Sequence, residues 1–91
     1  LAGTVYEAKP EAAIELYKRY STLVPYDPRG YRDLAWVYET TKQMELAEAA
    51  YRKAIDVDPK FALAYANLGH TLSDQGKLDE AIAAYLKGEQ T

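Results

Sequence analysis

Tyr65-Ala66-Asn67-Leu68-Gly69-His70-Thr71-Leu72-Ser73-Asp74-Gln75-Gly76-Lys77-Leu78-Asp79-Glu80-Ala81-Ile82-Ala83-Ala84-Tyr85 is the stretch that decides the fold. It carries two amphipathic helical patterns separated by one glycine turn. Its marker residues recur upstream at a constant interval of 34. Tyr17, Tyr51 and Tyr85 stand in that relation, as do Ala13, Ala47 and Ala81. So do the pairs Leu34 and Leu68, Tyr31 and Tyr65, and Pro25 and Pro59. A 34-residue period in these residue types marks stacked helical hairpins, because no single hairpin can bury its apolar face alone.

Upstream, the same alternation of helix and breaker can be followed to the start of the chain. Residues 1–8 read weakly as a helix end, since Gly3, Thr4 and Val5 are poor helix formers. Pro10 fits a first helical turn, where its missing N–H is no loss. From there Ala13, Leu16, Tyr17, Tyr20 and Leu23 follow the spacing of one apolar face. The residue before Pro25 is pushed out of the helical region, so the helix ends there. Residues 24–30 then read as a connection rich in proline and glycine. Tyr31, Leu34, Ala35 and Tyr38 form the next stripe, and Thr41-Lys42-Gln43 is a short turn without glycine. Leu46, Ala47, Ala50, Tyr51, Ala54 and Val57 share the following face. Asp58-Pro59 suits a cap and a first helical position. Phe61, Ala64, Tyr65, Leu68 and Leu72 repeat the stripe, Gly76 stops that helix, and Leu78, Ala81, Ala84 and Tyr85 carry the last. The fold class expected is all-α.

Composition narrows the function classes. Apolar residues make up 48% and charged residues 27% of the 91, ordinary globular usage that argues against disorder. The net charge of −3 comes from interleaved acids and bases, not from the basic footprint of a nucleic-acid or anionic-membrane binder. The absence of cysteine excludes disulfides and thiolate metal sites. No apolar run has the length of a membrane span, so membrane insertion is not expected. The compartment is unknown from sequence, with the cytoplasm taken only by default. Nine tyrosines are many for this length, but five of them occupy repeat-matched positions and read as core anchors.

The pattern resembles the tetratricopeptide repeat. Residues 62–91 match it through Tyr65, Leu68-Gly69, Leu72, Gly76, Ala81 and Tyr85, and residues 28–61 through Tyr31, Leu34, Ala35, Tyr38, Ala47, Tyr51, Ala54 and Pro59. Residues 1–27 match only the second helix of a repeat, through Ala13, Tyr17 and Pro25. The resemblance implies a right-handed α-α superhelix of antiparallel hairpins, about two and a half repeats long. The single domain 1–91 would divide into a partial repeat 1–27, a full repeat 28–61, and a last repeat 62–91 truncated at its end. Tyr20 and Gly88 depart from the small alanine the family prefers, which puts close packing at both ends in question.

The resemblance further implies a concave groove lined by the first helix of each repeat. Its register places Arg29, Arg32, Trp36, Glu39 and Thr40, then Leu63, Ala66, His70, Ser73 and Asp74, along that groove, with Asn67 where the family holds ligand backbone. The peptide-binding residues expected are Arg29, Arg32, Trp36, Glu39, Asn67, His70 and Asp74. Trp36 lies two residues past Leu34 and two before Tyr38, so it points away from the hairpin core like an interface anchor. Leu63 and Ala66 stand where basic residues would be wanted to hold a peptide's terminal carboxylate. A peptide with one acidic contact for Arg32 and an apolar side chain against Trp36 fits better.

Other chemistries fare worse. His70, Ser73 and Asp74 rise side by side from one helix, whereas a catalytic triad must converge in sequence, each member bonded to the next. No catalytic residue and no enzyme activity is expected. His70 and Asp74, with Glu39 as a further donor, share a face as metal ligands at i and i+4 can. Without a clear third and fourth ligand, no metal and no cofactor is expected. The function expected is a non-enzymatic module that binds a peptide or helix of a partner protein. The alternative is a structural element that self-associates, for example as a homodimer, through uncapped end helices.

Overall fold

The computed structural model describes residues 9–91, which form five α-helices and, among those residues, no strand. In chain order they are α1 (Pro10–Leu23), α2 (Pro28–Thr40), α3 (Met44–Val57), α4 (Ala62–Asp74) and α5 (Leu78–Gln90). The weak helix end read at residues 1–8 lies outside the described residues. None of the described helices is long and apolar enough to cross a membrane.

Each helix packs chiefly on its neighbours in sequence. α2 with α3 and α4 with α5 form the two tightest hairpins, while α1 lies on α2 and α3 lies on α4. One continuous core runs through Leu34, Ala35 and Tyr38 of α2, Ala47, Ala50 and Tyr51 of α3, Leu68 and Leu72 of α4, and Ala81 and Ala84 of α5. Ile14 and Tyr17 extend it to α1. Removing a leucine or tyrosine of this kind from water contributes about 1.5–3 kcal/mol. The small residues decide how closely the helices approach. A Cβ on Gly69 would stand 2.9 Å from the Tyr85 ring, and one on Gly88 would stand 2.8 Å from Cβ of Tyr65. Tyr20 lies against Gly30, where a Cβ would meet it at 2.7 Å. The two departures at Tyr20 and Gly88 are therefore packed against partners of complementary size.

Several local expectations need correction. Leu16, Leu23, Leu46 and Leu78, assigned to buried stripes, are exposed, and Tyr85 is only partly covered. Among the described residues α1 packs extensively on one helix, α2. Most of its apolar face therefore stays open, with only Ala13 and Ser21 buried. The connection after α1 is also shorter than 24–30. Asp27 accepts a hydrogen bond from the Arg29 backbone N–H and Pro28 occupies the first helical position, so α2 already includes Arg29 and Gly30. The second Asp-Pro pair behaves differently. Asp58 accepts from the Lys60 N–H to close a turn, and α4 begins three residues past Pro59.

The two hairpin turns are built alike. Gly76 adopts φ 80°, and Lys42, at the equivalent place 34 residues earlier, adopts φ 66°. In both, the next N–H returns to a carbonyl of the preceding helix: Gln43 to Tyr38, and Lys77 to Leu72. That closure needs a left-handed residue, which glycine supplies without steric cost and lysine does not.

Candidate functional site

The helical pattern that buries Leu34, Ala35 and Tyr38 turns Trp36 the other way. Its side chain is 55% exposed, although tryptophan has much to gain from burial. On the same helix, Arg32 lies one turn before it and Glu39 one turn after. α4 presents His70 at the position equivalent to Trp36, with Asn67 and Asp74 one turn to either side of it. The face is set by the core: each exposed position is fixed by the buried neighbours on either side of it.

The charged members are not free. Arg29 makes two hydrogen bonds to the Asp27 carboxylate, from Nε to Oδ1 and from Nη2 to Oδ2, each 3.0 Å. Tyr20 donates its hydroxyl to Oδ2 of the same carboxylate at 2.5 Å. The Arg29 guanidinium, aided by the Tyr20 hydroxyl, holds the Asp27 carboxyl well below the usual carboxylate range. Arg32 donates through Nε and Nη2 to Asp33 Oδ1 at 3.1 and 2.9 Å, and its guanidinium lies 5.7 Å from the centre of the Phe61 ring. The two arginines line a cavity of about 270 Å³ with Tyr17, Tyr20, Asp27 and Asp33. A carboxylate arriving from a ligand must compete there with partners already in place.

At the other end of the face the structure joins three of the expected residues across two helices. The His70 Nδ1 lies 2.6 Å from Glu39 Oε2 and 3.8 Å from Asp74 Oδ2. Glu39 is held from beneath, because the fully buried Tyr51 donates its hydroxyl to Oε1 at 3.0 Å. Burial, reinforced by the Glu39 carboxylate, pushes the Tyr51 phenol well above its ordinary range, so it stays a donor. Asn67 is half-buried, and among the described residues its amide has no hydrogen-bond partner. Ser73, the would-be nucleophile, is exposed on the same helix. Arg29 lies with the α1 end and is not brought to the His70 cluster.

Four side chains make contacts that the sequence pattern does not announce. Asp27 is recoverable as a cap residue before Pro28. Asp33 is not, because adjacent helical residues do not normally face each other. The spacing of Tyr51 marks a core anchor, and its hydroxyl contact to Glu39 depends on how α3 lies against α2. Glu48 carries no motif, yet it accepts hydrogen bonds from Arg52, Gln75 and Lys77 and ties α3 to the α4–α5 turn.

Two family models described as tetratricopeptide repeat match the chain, over residues 29–61 and 50–83. A curated relative, small glutamine-rich tetratricopeptide repeat-containing protein 2 of Mycosarcoma maydis, is 38% identical over 77 residues. That match covers 85% of this chain but 22% of the relative, so the chain spans under a quarter of its length. Among solved structures, MamA aligns with a TM-score of 0.88 at 27% identity, covering 98% of this chain and 52% of MamA. The second tetratricopeptide domain of Spaghetti (RPAP3), solved bound to the HSP90 peptide SRMEEVD, aligns with a TM-score of 0.86 at 28% identity. It covers 98% of this chain and 82% of that one. With its period, five stacked helices and these matches, the chain belongs to the tetratricopeptide repeat family as an all-α solenoid of about two and a half repeats.

Proposed function

We propose that the chain is a non-enzymatic interaction module that binds an extended peptide or a helix of a partner protein along the face formed by α2 and α4. The family is a protein-interaction fold, and the Spaghetti domain that this chain resembles was solved with a peptide bound. The observation that carries the proposal is Trp36, exposed between Arg32 and the Glu39–His70 pair on the helix that lines the groove. Aromatic and arginine side chains dominate binding energy at interfaces when they become desolvated. Trp36 is the anchor; Arg32 is an acid-seeking contact whose charge Asp33 already shares; and the Asn67 amide serves ligand backbone. Arg29, whose charge is shared with Asp27 through Nε and Nη2, adds less affinity. Glu39, His70 and Asp74 make the far end of the groove acidic and favour a basic or neutral ligand residue there.

A peptide as acidic as SRMEEVD suits this groove poorly, because Leu63 and Ala66 supply no cation and both arginines are paired. The test is fluorescence polarisation with peptides selected on the chain from a display library, with SRMEEVD as comparison. Trp36→Ala leaves the far-ultraviolet circular dichroism unchanged and weakens the selected peptides about tenfold or more, the loss of one hot spot. Unchanged affinity would remove Trp36 as the anchor. Within this proposal the repeats divide at 1–27, 28–61 and 62–91.

A second reading is favoured by one observation. Leu78, Ile82, Tyr85 and Leu86 are exposed together along α5, an apolar stripe that a second copy could cover. Sedimentation across protein concentration decides it: a mass that rises with concentration supports self-association, and a strictly monomeric mass excludes it.

A further inference from the structure

We propose that Glu39, His70 and Asp74 form a three-ligand site for a divalent transition metal of the zinc type, bridging the two repeats at the acidic end of the groove. His70 and Asp74 are one turn apart on α4, and Glu39 comes from α2, so the donors converge from two helices. One donor atom from each residue lies within 4.8 Å of the other two. The His70–Glu39 and His70–Asp74 separations, 2.6 and 3.8 Å, bracket the spacing a metal would impose. With bonds of about 2.0–2.1 Å in tetrahedral array, neighbouring ligand atoms sit about 3.3 Å apart. One of these contacts opens and the other closes, each by well under the reach of a single rotamer adjustment, and the Glu39 and Asp74 donors, within 4.8 Å of each other, draw together about the ion.

The two side chains that must move are the ones free to do so. His70 is 62% and Asp74 42% exposed, whereas Glu39 is 15% exposed and held by the Tyr51 hydroxyl on Oε1. That bond leaves Oε2, the oxygen already facing His70, as the metal donor. A buried donor orienting a ligating carboxylate is the outer-shell support that metal sites require. One imidazole with two carboxylates selects among metals. It lacks the thiolates that favour copper(I), and it is poorer in oxygen than calcium or magnesium sites demand. Two carboxylates balance the dication, and the remaining coordination positions open to the groove. The site is independent of whether Trp36 anchors a peptide.

The simpler occupant of this geometry is a His70–Glu39 hydrogen bond with Asp74 as a loose neighbour, and one experiment separates the two. Tag-free chain is titrated calorimetrically with zinc chloride in a non-chelating buffer at neutral pH, beside His70→Ala and Glu39→Gln. Circular dichroism confirms that the variants fold. The expected result is saturable 1:1 binding that excess magnesium does not displace, weakened about tenfold or more in each variant. Thermal unfolding of the unaltered chain shifts upward with zinc, and the His70→Ala shift is lost. Absence of saturable binding, equal binding by His70→Ala, or displacement by magnesium would each overturn the site.

Discussion

Lys42 shows how a single backbone angle can be misplaced in an otherwise regular repeat. It adopts φ 66° where the matching turn uses Gly76 at φ 80°. A left-handed conformation costs an ordinary L-residue roughly 1–2 kcal/mol relative to the right-handed one. Glycine escapes that cost in the folded chain but loses more freedom on folding, which returns part of the gain. Lys42→Gly is therefore expected to stabilise the chain by about 0.5–1 kcal/mol, read as a higher urea midpoint with an unchanged slope. A lower midpoint would mean that the lysine stem makes contacts outweighing the backbone term. Gly76→Ala should move the midpoint the other way by a comparable amount. The open space around Gly76 leaves backbone strain as the only penalty there.

Between elements, the charged contact with most reach is Glu48 on α3. Its carboxylate, 16% exposed, accepts from Gln75 Nε2 at 3.0 Å and Lys77 Nζ at 3.1 Å while Arg52 holds it from one turn along. Arg52 also reaches Glu80 of α5 at 3.4 Å. Glu48 thus links three helices of two successive repeats at the point where α4 turns into α5. Glu48→Ala removes the shorter acceptor of Gln75 and Arg52, which keep the Thr71 carbonyl and Glu80 at 3.4 Å, and the Glu48 contact of Lys77; about 1 kcal/mol of stability should go with it. The loss should appear in hydrogen exchange as faster opening of α4 and α5, with α2 less affected. Uniform acceleration would show that the contact serves the fold as a whole. The period made the helices themselves legible: Leu34 and Leu68, Ala47 and Ala81, and Gly76 each fell where their spacing placed them. Helix ends were less legible, because two identical Asp-Pro pairs resolve differently, one capping α2 and the other closing a turn before α4. The groove residues were readable as positions on a helix. Their partners were not, since Asp33 pairs with its own sequence neighbour and Glu39 meets His70 only after two repeats stack.

At the scale of the molecule, helices that pack chiefly on their chain neighbours make stability close to a sum of nearest-neighbour interfaces. Titrating groups are distributed over those interfaces. Asp27, with Arg29 and Tyr20, sits where α1 meets α2; Tyr51 with Glu39 joins α3 to α2; Glu48 joins α3 to the α4–α5 turn. Burial alone would raise Glu48, but hydrogen bonds from Gln75, Lys77 and Arg52 outweigh it and leave the carboxyl below its ordinary value. Asp27 is lowered too, by Arg29 first and Tyr20 second. Both carboxyls bind protons more tightly in the unfolded chain, so their contribution is present above the ordinary carboxylate range and is lost as pH falls below it. The phenols work in the opposite direction. Tyr51 is raised by burial and by Glu39, and Tyr20 by its hydrogen bond to Asp27, so the folded chain holds these protons more tightly. Their contribution is complete below the ordinary phenol value of 10.0 and is lost as pH rises beyond it. The urea midpoint is therefore expected to lose these contributions below about pH 4.5 and again above about pH 10, with neither loss in between. Tyr51→Phe should reduce the alkaline limb and leave the acid limb in place, while Asp27→Asn should reduce the acid limb to the part Glu48 contributes and remove the Tyr20 share of the alkaline limb. An alkaline limb unchanged in Tyr51→Phe would show that the buried phenol is not what couples α3 to α2 at high pH.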